Sequence, residues 1–520
     1  MSSMPRYRSE ADLPLSVMRG QGTIPGQIVD QIRSLVAEGR LRPGDPLPSS
    51  RTLATRIGVS RGSVTSAYDQ LAVEGYLEAD RGSTRITTEL SGLGAEGFTG
   101  NNSAAITVGS ASPRRGPHAP SSPASGRART WTENRDSIAG VAKESRDLAL
   151  LDLRPGTPDT SSLANTTWRA AWRAAAADPS LGYEPQGSPH LRNQLSEYLR
   201  LMRSVIRSPD DLLVTAGARD GLRILLMTLH EREGRPLVVA VEDPGYPSLH
   251  KVPQALGHRI VPIPLDDQGV DPARLPSGAD RPDVVLVTPS HQYPMGASMP
   301  APRRLELIQW AAENRAILVE DDYDSELRYV GDPLPALAAL DEQGTSVVTL
   351  GSFAKVLTPG LGLGYLLMPS PVRKELVRLK GDAGPPVSGI LQDAMTRFMA
   401  DGGLQRHTAR MRRSYRRRRD MLATAFDTAK DHPGVEVLPM DGGLHAVIRL
   451  PTAAAEEQVI DDARRRGVAV GALGTYWSGG SGRAGVVVGF GGLSEQRFER
   501  GLTLLRESLE RCIGEASRFR

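Results

Sequence analysis

Cysteine is almost absent from this chain: among 520 residues only Cys512 occurs. A single thiol cannot build an intrachain disulfide framework or a multi-cysteine zinc site, and such scarcity suits a reducing compartment. Long apolar runs are missing too. No stretch approaches the roughly 20 residues of a membrane-spanning helix, and the N-terminus lacks the apolar core of a secretion signal. The expectation is a cytoplasmic protein with no membrane partner. Strong net charge is also lacking, since 63 Lys+Arg against 60 Asp+Glu leave +3, and that balance alone announces no nucleic acid. His291 and His445 have no neighbouring His, Cys or carboxylate set at ligand spacing. They read as pocket or core histidines, and no metal is expected.

Lysine is the telling scarcity. Of the 63 basic residues only six are lysines, namely Lys143, Lys251, Lys355, Lys374, Lys380 and Lys430. A guanidinium stays protonated, whereas a lysine amine can be desolvated, deprotonated and made nucleophilic. Lys355 lies just beyond the apolar run Ser346-Val347-Val348-Thr349-Leu350, in Gly351-Ser352-Phe353-Ala354-Lys355. A β-rich run broken by Gly and Ser reads as a buried strand opening into a polar loop. Four other apolar runs end the same way. Residues 316–319 lead into Glu320-Asp321-Asp322-Tyr323-Asp324, and 236–241 into Glu242-Asp243-Pro244-Gly245-Tyr246. Residues 212–214 lead into Thr215-Ala216-Gly217-Ala218-Arg219, and 284–287 into Thr288-Pro289-Ser290-His291-Gln292-Tyr293-Pro294. Short apolar strands alternating with helical stretches predict a mostly parallel α/β sheet, with ligands at the carboxyl ends of its strands. Five strand exits bearing polar or aromatic groups would then converge on one cavity.

From about Leu150 onward these motifs resemble the fold-type I pyridoxal-phosphate enzymes, the aspartate aminotransferase superfamily. Asp-Asp-Tyr-Asp-Ser-Glu followed by Gly-Ser-Phe-x-Lys is similar to the aminotransferase-like domain of MocR/GabR-type regulators. The resemblance implies pyridoxal 5'-phosphate as cofactor, held by Lys355 as a Schiff base. It implies Asp321 against the pyridinium nitrogen, Tyr323 on the ring hydroxyl and Tyr246 stacked on the ring. Ser352 and the amides of Ala218 and Arg219 would meet the phosphate, as a loop-to-helix junction can. Gly182-Tyr183-Glu184-Pro185-Gln186-Gly187 resembles the family's Tyr-x-x-Pro-x-Gly segment, so Tyr183 would reach the phosphate site of a partner subunit in a homodimer.

Ahead of this body lies a separate unit at 24–88. Ile24, Ile28, Ile32 and Leu35 follow helical spacing; a second helix starts at Ser49 and breaks at Gly58. A third starts at the N-cap residue Ser60 with Val64, Tyr68 and Leu71 on one face, and a hairpin follows around Arg81-Gly82-Ser83. That is the order of a winged helix-turn-helix. Leu47-Pro48-Ser49-Ser50-Arg51, Gly58-Val59-Ser60-Arg61 and Leu71-Ala72-Val73-Glu74-Gly75-Tyr76-Leu77 closely resemble the GntR family. The resemblance implies contacts to operator double-stranded DNA from Arg51, Arg61, Ser63 and Thr65, with Arg81 and Gly82 in the wing. Thr84 stands where the family's Gly-Ser-Gly-Thr wing has its second glycine.

The resulting organisation is a DNA-binding domain at 1–88, a Gly/Ser/Ala/Pro-rich flexible linker at 89–146, and an aminotransferase-like domain at 147–520. The latter divides into a large part, about 150–370, and a smaller C-terminal part, about 371–520. The basic run Arg410–Arg419 reads as one face of an amphipathic helix with solvated arginines, its apolar positions being Met411, Tyr415 and Met421.

Two departures from the family bear on activity. Its phosphate-gripping Arg, seven residues beyond the Schiff-base lysine, is replaced by Gly362. Its carboxylate-binding Arg falls on the run Val486-Val487-Val488, with Arg483 the nearest. Three readings follow: a regulator that senses an amino compound or a pyridoxal-phosphate-related effector, a working aminotransferase with an accessory DNA module, or a regulator whose degenerate domain no longer binds the cofactor tightly. The first leads, because a complete GntR-like head accompanies an intact Lys355, Asp321 and Tyr323.

Overall fold

The computed structural model describes residues 13–18, 24–37, 40–42, 44–73, 76–80, 83–86, 150–179, 182–330, 335–384, 387–427, 434–478 and 482–518. The expected linker at 89–146 and the wing residues Arg81 and Gly82 lie outside them.

The head is built from helices α1 (Ile24–Ala37), α2 (Ser50–Ile57) and α3 (Arg61–Val73). Ser49 caps α2 by accepting from the Thr52 amide at 3.1 Å, and Gly58, with φ of 68°, closes it. Ser60 receives the Ser63 amide at 3.1 Å and so starts α3 where the sequence predicts. Ile28, Ile32, Leu53, Val64 and Leu71 are fully buried between the three helices. Burial of each such side chain is worth about 1.5–3 kcal/mol. The Tyr68 hydroxyl donates to the Pro48 carbonyl at 2.8 Å, tying α3 to the turn before α2. Beyond the expected hairpin, β2 (Leu77–Asp80) and β3 (Ser83–Ile86), a short strand β1 (Pro46–Leu47) joins on the far side of β3.

The body begins with β4 (Leu151–Asp152) and centres on a seven-stranded sheet. Its strands are β5 (Leu212–Thr215), β6 (Val238–Asp243), β7 (Arg259–Pro264), β8 (Val284–Val287), β9 (Ile317–Asp322), β10 (Val347–Ser352) and β11 (Gly364–Leu367). They lie in the order β5-β11-β10-β9-β8-β6-β7, with only β11 antiparallel to its neighbours. Alternate residues of one strand enter opposite apolar layers: Leu212 and Val214 one side, Leu213 the other; Val285 and Val287 one side, Val284 and Leu286 the other. A strand covered on both faces must be apolar at every position, which is why these segments read as unbroken runs.

A second sheet, in the order β12-β13-β16-β15, is formed by β12 (Glu436–Val437), β13 (His445–Arg449), β15 (Gly471–Ala472) and β16 (Gly485–Gly489). Here β14 (Val468–Ala469) pairs in parallel with β4. The division expected near residue 370 does not follow the two cores. Leu376, Leu391, Met395 and Phe398, on the helices Arg373–Ala383 and Gly389–Ala400, pack with the large sheet, whereas Leu151 and Leu153 pack with the small one. Covering the large sheet takes more helix than its own strand connections supply, and the small sheet borrows the start of the body.

The helix Gly403–Ala425 carries the basic run, with Met411 and Tyr415 buried as predicted. Arg418 departs from the expected solvated face. It is 3% exposed, meets Asp159 Oδ2 at 2.6 Å and donates to the carbonyls of Phe490 and Gly491 at 3.1 and 2.7 Å. Arg418→Ala would strand a carboxylate and two carbonyls, and should cost about 3–5 kcal/mol in urea unfolding of the full chain. Arg417→Ala, on an exposed pair with Glu495, should cost under about 1 kcal/mol.

Candidate functional site

β10 does not stop at Leu350 but runs through Gly351 and Ser352, because Gly351 lies flat under Tyr365 of β11. A Cβ there would sit 2.0 Å from that ring. Lys355 therefore emerges three residues past a rigid strand end. Its Nζ donates to the Gly156 carbonyl at 3.0 Å. Burial pushes this amine below its ordinary value, while the Asp324 and Asp321 carboxyls work the other way.

β9 likewise extends to Asp322, so Glu320, Asp321 and Asp322 are strand residues and alternate between faces. Glu320 and Asp322 turn to one side, where Arg203 Nε lies 2.9 Å from Asp322, misaligned for a hydrogen bond, and Arg203 and Arg304 approach Glu320 at 3.8 and 3.9 Å. Asp321 turns to the other side. It is 4% exposed, and burial, followed by the charges of Asp322 and Asp324, pushes its carboxyl up to about 8. Its Oδ1 is buried without a hydrogen-bond partner. An unpaired buried carboxyl oxygen costs about 1–3 kcal/mol, which an N–H donor, above all a cationic one, would relieve.

Around these two groups stands a cluster of aromatic rings. Tyr293, 7% exposed, is the hub, with ring centres 5.1 Å from Tyr246, 5.9 Å from Tyr323, 5.4 Å from Tyr476 and 4.7 Å from His445. The Tyr323 hydroxyl donates to the His291 carbonyl at 2.8 Å and lies 3.0 Å from its Nδ1, which in turn is 2.9 Å from Asp324 Oδ2. His291 is thus a pocket histidine. His445 donates from Nε2 to the Pro294 carbonyl at 2.9 Å, and burial with His291 alongside holds it down to about 3. Glu242 is buried against Thr288, whose Oγ1 and amide donate at 2.5 and 3.1 Å, and burial still pushes its carboxyl up to about 7.

One rim of the pocket is a row of strand ends. Ser352 is opposite Gly364, which is opposite Thr215, and Gly217 then opens the helix Ala218–Glu233. The first amides of that helix, Ala218 and Arg219, have no intrahelical carbonyl to bond and carry the positive end of its dipole. The Ser352 hydroxyl accepts from the Ala354 amide at 3.2 Å. The Arg219 side chain is exposed; burial pushes the nearby Tyr246 phenol up, and the Arg219 charge works the other way. Gly362 adopts φ of 56° and a Cβ on it would touch nothing. Arg483 is exposed and lines a groove with Glu436, Arg449 and Thr452, while Val487 is fully buried in β16. No carboxylate clamp is offered by either. Tyr183 stands 61% exposed.

The structure brings together Lys355, Asp321, Tyr323 and Tyr246, with Ser352, Ala218 and Arg219 at strand and helix ends. It adds Tyr293, Asp324, His291 and Glu242, whose signal was their place in the same strand-exit motifs. In the head, Arg51, Arg61 and Thr65 are exposed on α2 and α3, and Ser63 is half-buried with its hydroxyl 2.9 Å from that of Ser60.

The residues present fit the cofactor that this fold implies: a desolvated lysine amine, an orphaned buried carboxyl oxygen, aromatic walls and free helix-start amides. Comparison with known proteins agrees. Residues 150–488 match the family described as aminotransferase class I and II, and residues 25–85 match the bacterial regulatory proteins of the gntR family. The chain is 43% identical to the HTH-type pyridoxine biosynthesis transcriptional regulator PdxR of Corynebacterium glutamicum, over 93% of this chain and 96% of that one. It is 30% identical to the MocR protein of Rhizobium meliloti, named for rhizopine catabolism, over 93% of each chain. Among solved structures, an archaeal alanine:glyoxylate aminotransferase superposes with a TM-score of 0.66 at 22% identity, covering 72% of this chain and 95% of that one, a likeness of fold. A gntR-type DNA-binding head thus precedes an aminotransferase-like body, and the chain belongs to the GntR-family transcriptional regulators of the MocR/PdxR type.

Proposed function

We propose that this regulator reads the level of pyridoxal 5'-phosphate, which is both the ligand of its body and its signal. The observation that carries the reading is the pairing of Lys355 with Asp321. The first is an amine stripped of water, the second a carboxyl whose buried Oδ1 lacks a partner. Lys355 would hold the ligand covalently through its amine. Asp321 would accept from the ring nitrogen and keep it protonated, and Tyr323, anchored on the His291 carbonyl, would accept from the ring hydroxyl. Tyr246 would cover one ring face; Ser352 and the amides of Ala218 and Arg219 would take the phosphate. When bound, pyridoxal phosphate supplies an electron sink to an amine carbon. Sensing needs only that it bind reversibly.

The departures from the enzymes favour a sensor over a catalyst. With Val487 where a substrate clamp would stand, an amino acid is left without a partner for its carboxylate. Gly362 removes a charge-assisted contact of about 1.5–3 kcal/mol, which weakens phosphate binding roughly ten- to a hundred-fold. A sensor benefits, because its dissociation constant must lie near the ligand's free concentration. The name of the Corynebacterium relative, a regulator of pyridoxine biosynthesis, supports the same ligand. We place the protein in the cytoplasm as a homodimer, in which exposed Tyr183 completes the partner's phosphate site and two heads, at about 24–88, meet paired half-sites. The domain plan of head, linker at 89–146 and body from 147 is part of this reading.

Titrating apoprotein with pyridoxal phosphate should raise a saturable visible absorption band and shift operator affinity over the same concentrations, with amino compounds adding nothing. Absence of the band at saturating ligand, or operator binding indifferent to it, would overturn the reading. Lys355→Ala should lose both band and response yet still bind operator.

Gly362→Arg has open space to enter, but its left-handed backbone costs about 1–2 kcal/mol. Set against the recovered phosphate contact, the net gain is up to about 2 kcal/mol, or about 30-fold in ligand affinity, with the response midpoint moving to lower pyridoxal phosphate.

Arg61→Ala should cost about 1–3 kcal/mol of operator discrimination if it reads a guanine. Gel shifts against the cognate and a scrambled half-site measure this, and the ligand band should stay as in wild type.

A further inference from the structure

The helix Gly403–Ala425 concentrates positive charge that its own surface does not balance. From Arg406 to Arg419 it carries eight arginines and no acid, in a chain whose total excess is +3. Arg418 is neutralised internally by Asp159, and Arg417 meets Glu495 at 2.6 Å. Arg419 lies 3.7 Å from Asp420, whereas Arg410 and Arg416 are held differently. Arg410 donates to the Ser162 carbonyl at 3.4 Å and Arg416 to the Tyr329 carbonyl at 3.1 Å. A carbonyl fixes a guanidinium in place but leaves its charge uncompensated. Half-buried Arg412 is held below its ordinary value by burial and by the charges of Arg416 and Arg413. Arg410, Arg413 and Arg417 share one helix face at spacings of three and four, spanning about 10 Å, and Arg412 and Arg416 line the adjoining stripe.

We propose that this stripe is a second DNA-contacting surface, which takes the phosphate backbone of duplex flanking the half-sites read by the heads. Three arguments choose DNA. Duplex DNA carries one negative charge per about 1.7 Å of axis, so a short row of fixed cations meets several phosphates. The helix buries its apolar residues Met411 and Tyr415 and offers no aromatic anchor on the arginine face, as protein interfaces usually do. The gntR-type head also brings duplex to the same molecule, where a weak phosphate contact gains from high local concentration. The contact is independent of base sequence, since phosphates position and base edges specify.

The test uses the full-length protein and two duplexes with the same operator, one ending at the half-sites and one extended by about 20 bp, two helical turns, on each side. Each phosphate contact adds about 0.9 to the slope of log affinity against log salt. Wild type should bind the long duplex more tightly, with the steeper slope. Arg410→Gln with Arg413→Gln should lower that slope by about 1.8 and remove the length advantage, leaving the short duplex unchanged. Far-UV circular dichroism and light-scattering mass, expected to match wild type, exclude misfolding. Single Arg410→Gln, at about half the effect, serves should the double variant fail these controls. Equal slopes for wild type on both lengths would overturn the proposal, pointing to an acidic protein partner or a merely solvated face. So would an equal loss on both lengths in the variant. Neither result depends on pyridoxal phosphate, so failure here leaves the sensing reading standing.

Discussion

Three carboxyl-bearing residues in a row, Glu320, Asp321 and Asp322, end a strand that lies inside the sheet and is buried on both faces. Charge without water is costly, and much of the body's arrangement answers that cost. On one face two arginines from different helices, Arg203 and Arg304, are drawn into the interior to meet Glu320 and Asp322. Near them the Tyr198 hydroxyl donates to Glu326, another carboxyl pushed up, to about 7, chiefly by burial. On the opposite face no arginine is supplied. Asp321 is left with burial, like-charged neighbours and Lys355, and one oxygen unmet. The strand's alternation thus separates a face whose carboxyls meet arginines, with Asp322 Oδ1 and Arg203 Nε still lacking hydrogen-bond partners, from a face where Asp321 faces Lys355.

Legibility in the sequence followed the same physics. Strands buried on both faces must be apolar throughout, so β5, β8 and β10 announced themselves, and their polar exits carried Lys355, Asp321, Tyr323 and Tyr246. The head was legible because cap residues, Ser49 and Ser60, act locally. What escaped depended on distant chain. That β10 continues through Gly351 follows from Tyr365, fourteen residues on, lying over it. That Arg418 is buried while Arg417 is exposed follows from Asp159, which helical periodicity does not reveal. Tyr293 read as one residue of a Pro-containing loop; its role as hub needs Tyr476 and His445, from the small-sheet region, to be in place. The borrowing of Leu151 and Leu153 by the small core is a tertiary pairing of the same kind.

These distant contacts also indicate how a ligand in the pocket is felt elsewhere. A ligand shifts a conformational equilibrium only through contacts that differ between the two states. The loop bearing Tyr246 is joined to the small-sheet region at two points: the Gly245 amide donates to the Tyr476 carbonyl at 3.1 Å, and the Ser478 amide to Asp243 Oδ1 at 2.7 Å. The side of the pocket that holds Tyr323 is joined at two more, His445 to the Pro294 carbonyl and the Gly443 amide to the Leu327 carbonyl at 3.0 Å. Any group that displaces Tyr246 or loads Tyr323 therefore acts directly on bonds that fasten the two parts of the body. Because packed interfaces yield between discrete arrangements rather than by smooth deformation, a small movement of either ring is enough to favour one arrangement over another. In an enzyme, such closure would exclude water around a reacting substrate. In the sensing role proposed above, the same closure would act as a change of shape that reports occupancy.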